Sequence, residues 1–111
     1  MKEKIFINAR IVDPSQRINE KGSVILDQEG KIKAVGKNIN KSDANSSAEV
    51  IDVKENILIP GIVDMKAFVG EPGYEYKENF RTLSQAALAG GVTSIVTMPN
   101  TKPIIDNVSM V

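Results

Sequence analysis

Asp64, Lys66, Phe68 and Gly70 occupy every second position of one largely apolar stretch, "IVDMKAFVG", and Asn100 follows a second such stretch. Alternate residues of an extended chain point to the same side, so two of them can reach one metal ion or one substrate. An acid at the C-terminal end of a buried strand sits where α/β folds gather their functional groups. The residue types are unsuited to that task. Lysine in its charged form donates and cannot ligate, and phenylalanine has no ligating atom. The geometry of a two-ligand arm is available, but its chemistry is absent. Each residue also has a structural reading. Asp64 can cap the following loop through backbone N–H groups, Lys66 can be a solvated surface lysine, and Phe68 can belong to the core. Asn100 offers an amide for a carboxylate or amide substrate, or can cap its own loop together with Thr101.

The totals narrow the chemistry further. The chain has 111 residues with no histidine and no cysteine. The commonest neutral-pH base and metal ligand is thus missing, along with disulfides and thiolate metal sites. Fourteen basic residues balance fourteen acidic ones, so no basic field directs the chain to nucleic acid or an anionic membrane. No apolar run approaches the roughly 20 residues of a membrane helix, and "MKEKIFINAR" lacks the long apolar core of a signal peptide. The expectation is a soluble, cytoplasmic protein. A Gly-rich phosphate loop, a Ser/His/Asp set and aromatic-basic interleaving are all absent.

Two kinds of segment must position these residues. Residues 4–12 begin with strand-like alternation, Ile5 and Ile7 facing one way and Phe6 and Asn8 the other. Asp13-Pro14-Ser15 signals a turn. Residues 22–36 read as a β-hairpin, with strands at 24–26 and 32–35 and Gly30 free to take positive φ at the turn. A polar loop over 37–48 leads to a short strand at 49–53. From residue 57 the character changes. "ILIPGIVDM" is apolar apart from Pro60-Gly61, and the part after that break fits a buried parallel strand. Pro72-Gly73 suits a type II turn. Phe80, Leu83 and Ala87 give helical spacing within 76–90, with Glu75 and Glu78 favouring its first turn and Gly90-Gly91 its end. "VTSIVTM" (92–98) reads as a second buried strand. Strand, loop, helix, strand is a βαβ unit of a parallel sheet. Asp106 or Asn107 can cap a further helix. A single βαβ unit exposes apolar edges, so the chain reads as a piece of a longer α/β protein; the alternative is a complete small α+β domain.

"IPGIVDMKAFVGEPGYEYKE" and "AALAGGVTSIVTMPNTKPIIDN", in that order and spacing, resemble the N-terminal part of a dihydroorotase, in the cyclic amidohydrolase branch of the amidohydrolase superfamily. "ARIVDPSQRINEKGSVILDQEGKIKAVG" is similar to that family's small N-terminal β-domain. The resemblance implies a small β-sandwich contributed by residues 1–56 and the start of a metal-dependent (β/α)8 barrel at 57–111, with its first two strands and first helix. It implies a hydrolase acting on a cyclic amide in pyrimidine biosynthesis. Active members of the family use a two-zinc centre and a hydroxide nucleophile.

In the family motif, Asp-x-His-x-His-x-Arg closes the first barrel strand. The histidines hold a metal and the arginine binds the substrate carboxylate. Asp64 matches, whereas Lys66, Phe68 and Gly70 replace the three chemical groups. Pro60, Gly61, Glu71, Pro72, Gly73 and Met98 to Thr101 keep the frame, and Asn100 matches a substrate-contacting position. The resemblance therefore implies a dihydroorotase-like protein without catalysis, similar to inactive members that serve as structural partners of aspartate carbamoyltransferase. Association of the chain with itself is a further expectation. No cofactor is expected from this segment. The Lys66 ammonium is expected to fill the vacated metal position and pair with Asp64 or a later acid. The alternative is an active, divergent cyclic amidohydrolase whose metal site is built from residues beyond 111.

Overall fold

The computed structural model describes residues 1–111 and divides into two compact units, Met1–Pro60 and Gly61–Val111. The first unit is a five-stranded mixed sheet built from β1 (Lys4–Asp13), β2 (Ile18–Leu26), β3 (Ile32–Gly36), β4 (Glu49–Asp52) and β5 (Ile57–Leu58). Antiparallel β1, β2 and β3 lie side by side, and β4 and β5 both pair in parallel with the free edge of β1. The expected hairpin is present, with Gly30 at φ 84°. Its first strand starts earlier than the apolar pattern suggested, because the polar run Ile18 to Lys21 pairs with β1 across the Asp13 turn.

The alternation read from residues 4–12 holds only as far as Asn8. Phe6 pairs with Val24 but Ala9 pairs with Gly22, so β1 carries one extra residue between them. Asn8 takes φ 56°, a conformation asparagine tolerates better than most residues. Such a bulge shifts which parity faces a given side. Ala9 and Ile11 consequently join Phe6 in one cluster with Val24, Ile18, Leu26, Val35, Val53 and Leu58. Ile5 and Ile25 pair directly with each other and are fully buried.

The same bulge organises the edge. Lys54 and Glu55 take φ of 51° and 64° opposite it, and the Glu55 N–H donates to the Asn8 carbonyl at 2.8 Å. Two short strands thereby follow one edge across the irregularity. Ile57 and Leu58, which the change in composition groups with the second segment, pair with Arg10 and Ile11 of β1. The polar loop over 37–48 contains a short 3-10 helix, Lys41–Asp43.

In the second unit, β6 (Ile62–Ala67) and β7 (Val92–Thr97) are parallel neighbours joined through α1 (Phe80–Ala89). The helix starts later than its expected bounds. Asn79 caps it, accepting from the Thr82 N–H at 3.0 Å, while the Thr82 hydroxyl oxygen accepts from the Asn79 N–H at 3.1 Å. Glu75 and Glu78 therefore both precede the helix and do not lie in its first turn. Gly90 closes the other end, its N–H reaching back to the carbonyls of Ala86 and Ala87. Asn107 caps a 3-10 turn, Val108–Met110, its Oδ1 accepting from the Ser109 N–H. Within residues 1–111 both strands stay partly open: Ile62, Val63 and Met65 of β6 are 47%, 53% and 70% exposed and Val96 of β7 47%. No helix is long and apolar enough to cross a membrane.

Candidate functional site

Lys66, Phe68, Gly70 and Asn100 lie at or just past the C-terminal ends of β6 and β7, whereas Asp64, expected at such an end, sits in the middle of β6. Asp64 pairs with Ile95 and Ala67 with Thr97, and the Met98 N–H donates to the Ala67 carbonyl at 2.9 Å. Past β6 the chain stays extended. Lys66 and Phe68 are exposed while Ala67 and Val69 are buried, Val69 completely. This alternation is what a two-ligand arm requires, and the side chains it presents are an ammonium and a phenyl ring.

Asp64 takes the structural role. Its Oδ1 accepts the backbone N–H of Lys66 at 2.9 Å, a turn-like bond two residues long. The Lys66 ammonium does not pair with it. The ion pairs of the chain join Lys4 to Glu49, Lys21 to Glu55, Lys31 to Glu29 and Lys33 to Glu3. The expected Lys66–Asp64 ion pair does not form: the carboxylate accepts from the Lys66 backbone N–H, and the Lys66 side chain is exposed.

Phe68 is neither core nor isolated. It is 39% exposed and meets Tyr74 at a ring separation of 6.4 Å and a tilt of 49°. Tyr76 approaches Tyr74 edge-on at 6.5 Å. The Lys77 ammonium lies 5.2 Å and 5.5 Å from these two tyrosine rings, within cation–π range. At the end of β7 the loop bond falls to Thr101. Its hydroxyl, 4% exposed, donates to the Pro103 carbonyl at 2.8 Å. Asn100 is exposed, so its amide remains open to solvent.

Two contacts have no counterpart among the sequence-based expectations. The Glu71 carboxylate accepts the Phe80 N–H at 3.0 Å, nine residues on, and so ties the loop to the start of α1. The Gly73 N–H donates to Glu75 at 2.8 Å, and this bond holds the Glu75 carboxyl below its ordinary range. The first depends on loop closure, for which local spacing carries no signal; the second is a local turn bond between residues two apart.

The donor set does not fit a metal ion. No group of three or more His, Cys, Asp or Glu side chains able to hold one exists in the chain. A zinc site normally needs four ligands, and at positions 66 and 68 the arm offers none.

No family model matches the chain. Curated relatives do. The chain is 41% identical over 103 residues to a dihydroorotase of Chlorobaculum tepidum, covering 93% of this chain and 24% of that protein. To a dihydroorotase of Geotalea daltonii it is 45% identical over 104 residues, covering 93% of this chain and 24% of the relative. A dihydroorotase of Aquifex aeolicus is 40% identical over all 111 residues, which is 25% of its own length. The chain thus spans about a quarter of the length of the curated relatives it matches.

Proposed function

We propose, on the premise that this chain belongs to the dihydroorotase family, that it is part of a dihydroorotase-like protein of pyrimidine biosynthesis that does not itself catalyse. The reading rests on one observation, the identity of three residues. Lys66, Phe68 and Gly70 stand where the family resemblance places two zinc-holding histidines and a carboxylate-binding arginine. Losing the histidines removes half the ligands of a four-ligand zinc site. Losing the arginine removes the bidentate clamp. The groups at 66 and 68 do not fit zinc, and no step is routed through it.

The proposed role is structural, in the cytoplasm. A sandwich-and-barrel scaffold, with residues 1–56 in the first part and 57–111 in the second, serves as a partner of aspartate carbamoyltransferase or of further copies of itself. Asn100 keeps a substrate-facing position of the family without the groups that would act on the substrate. Turnover of dihydroorotate by the full-length protein with added zinc tests the first half of the proposal. The expected rate is none above background, and turnover at about 1 per second or more sinks the reading. Co-purification with the transcarbamoylase tests the second half, and its absence removes the partnership.

The matched relatives are named as dihydroorotases, which favours a second reading: a divergent cyclic amidohydrolase with its metal site built from residues outside 1–111. That protein would bind zinc stoichiometrically, so metal analysis separates the two readings without an activity assay.

A further inference from the structure

The loops that follow β6 and β7 are held together through their backbones. At Gly70 a Cβ would lie 2.4 Å from the Tyr74 carbonyl oxygen and 2.5 Å from that of Glu78. At Gly73, where φ is 95°, it would lie 2.0 Å from the Lys102 carbonyl oxygen. Real Cβ atoms do not approach so closely, and backbone carbonyls cannot swing aside as side-chain ends do. Hydrogen bonds fix both approaches. The Tyr74 N–H donates to the Gly70 carbonyl at 2.5 Å, and the Lys102 N–H, from the other loop, donates to the Pro72 carbonyl at 3.0 Å. Buried Val69 and Thr101 lie at the starts of the two loops.

We propose that these loops form one backbone latch across the ends of β6 and β7, closed by the absence of side chains at Gly70 and Gly73. This rests on the reading of the segment as a site without its substrate clamp, and it makes that loss structural. Where a clamp side chain would begin, backbone is already packed. Putting an arginine back at position 70 would then force the loop open without creating a carboxylate site.

The test uses the full-length protein and its Gly70→Ala, Gly70→Arg and Gly73→Ala variants. Thermal unfolding, amide exchange at Tyr74 and Lys102, and calorimetric titration with dihydroorotate are measured. Each variant is expected to lower Tm by several degrees and to cut the protection of both amides about tenfold or more. Gly70→Arg is expected to gain no dihydroorotate binding. A Gly70→Ala protein with unchanged Tm and protection overturns the latch, as does a stable Gly70→Arg protein that binds dihydroorotate. Should the variants fail to fold, the unaltered protein decides. Slow exchange at Tyr74 and Lys102 supports the latch, and exchange as fast as at an open loop overturns it. Tm and amide exchange do not depend on turnover, so catalysis by the unaltered protein would remove the proposed function and leave the latch standing.

Discussion

In the first sheet, Ile5 and Ile25 face each other across paired strands and are sealed from water; in the second, Ile62, Val63 and Met65 lie along β6 and stay about half exposed or more. The residue types are alike, and both segments form strands. What differs is the number of strand neighbours within residues 1–111. β1 has β2 on one edge and β4 and β5 on the other, and its bulge brings Ala9 and Ile11 onto the face that Phe6 already occupies. β6 has one strand neighbour and one helix nearby in sequence. A β-branched apolar run is enough to make a strand. Burying it needs neighbours packed around it, as β1 has and β6 in these residues has not.

The largest expected effect tests this contrast directly. Ile25→Ala opens a cavity in a closed core and should cost about 2–5 kcal/mol in denaturant unfolding. Met65→Ala, at 70% exposure, should stay within about 0.5 kcal/mol. Equal losses from the two substitutions would erase the distinction between the sheets.

Next in size is an electrostatic tie found only in the first unit. Glu3 is buried, and its carboxylate accepts from the Asn45 N–H at 2.7 Å, the Asn45 amide at 3.0 Å and the Lys33 ammonium at 3.1 Å. The Asn45 backbone bond, then Lys33, holds the Glu3 carboxyl below its ordinary range. A carboxyl with a depressed folded-state value stabilises the fold above its unfolded value, and that contribution is lost as pH falls through the folded value. Stability should therefore be level near neutrality and fall below about pH 4. Glu3→Gln should lower the neutral plateau and flatten the acid limb, as followed by Tm against pH. An unchanged acid limb would assign the loss to Asp13, Asp52 and Glu75, whose carboxyls bonds from Ser15, Lys54 and Gly73 respectively also hold low.

How much of this was legible in the sequence differs between the units in the same way. Strand types, the Gly30 turn and the βαβ order are readable from local pattern, because period and turn chemistry are local properties. The bulge at Asn8 is not, since an extra residue shows only against a partner strand. Ile57 and Leu58 pair with β1 although their apolar composition matches that of β6. At the candidate site, the unsuitable types at 66, 68 and 70 are readable directly. Asp64 bonds backbone as its structural reading has it, but the N–H it accepts is that of Lys66 inside β6, where the register shifts, and not one of the following loop. The contacts of Glu71 with Phe80 and of Gly73 with Lys102 span nine and 29 residues respectively, and depend on how two loops meet.

The smallest expected effect carries the sharpest question about the site. An ammonium placed where a metal would sit, and paired with an acid away from water, is costly to break from one side, by several kcal/mol. An exposed lysine costs almost nothing to remove. Here the Lys66 side chain is exposed, and the Asp64 carboxylate accepts from the Lys66 backbone N–H. Alanine at 66 keeps that amide, so the Asp64 bond survives the substitution. Lys66→Ala should therefore change unfolding free energy by less than about 0.5 kcal/mol, whereas Asp64→Ala removes the acceptor and should cost more. If Lys66→Ala were instead the more damaging of the two, the ammonium would have a partner beyond Asp64. The arm that resembles a metal-binding strand would then be held by charge, as the Glu3 tie holds the first unit.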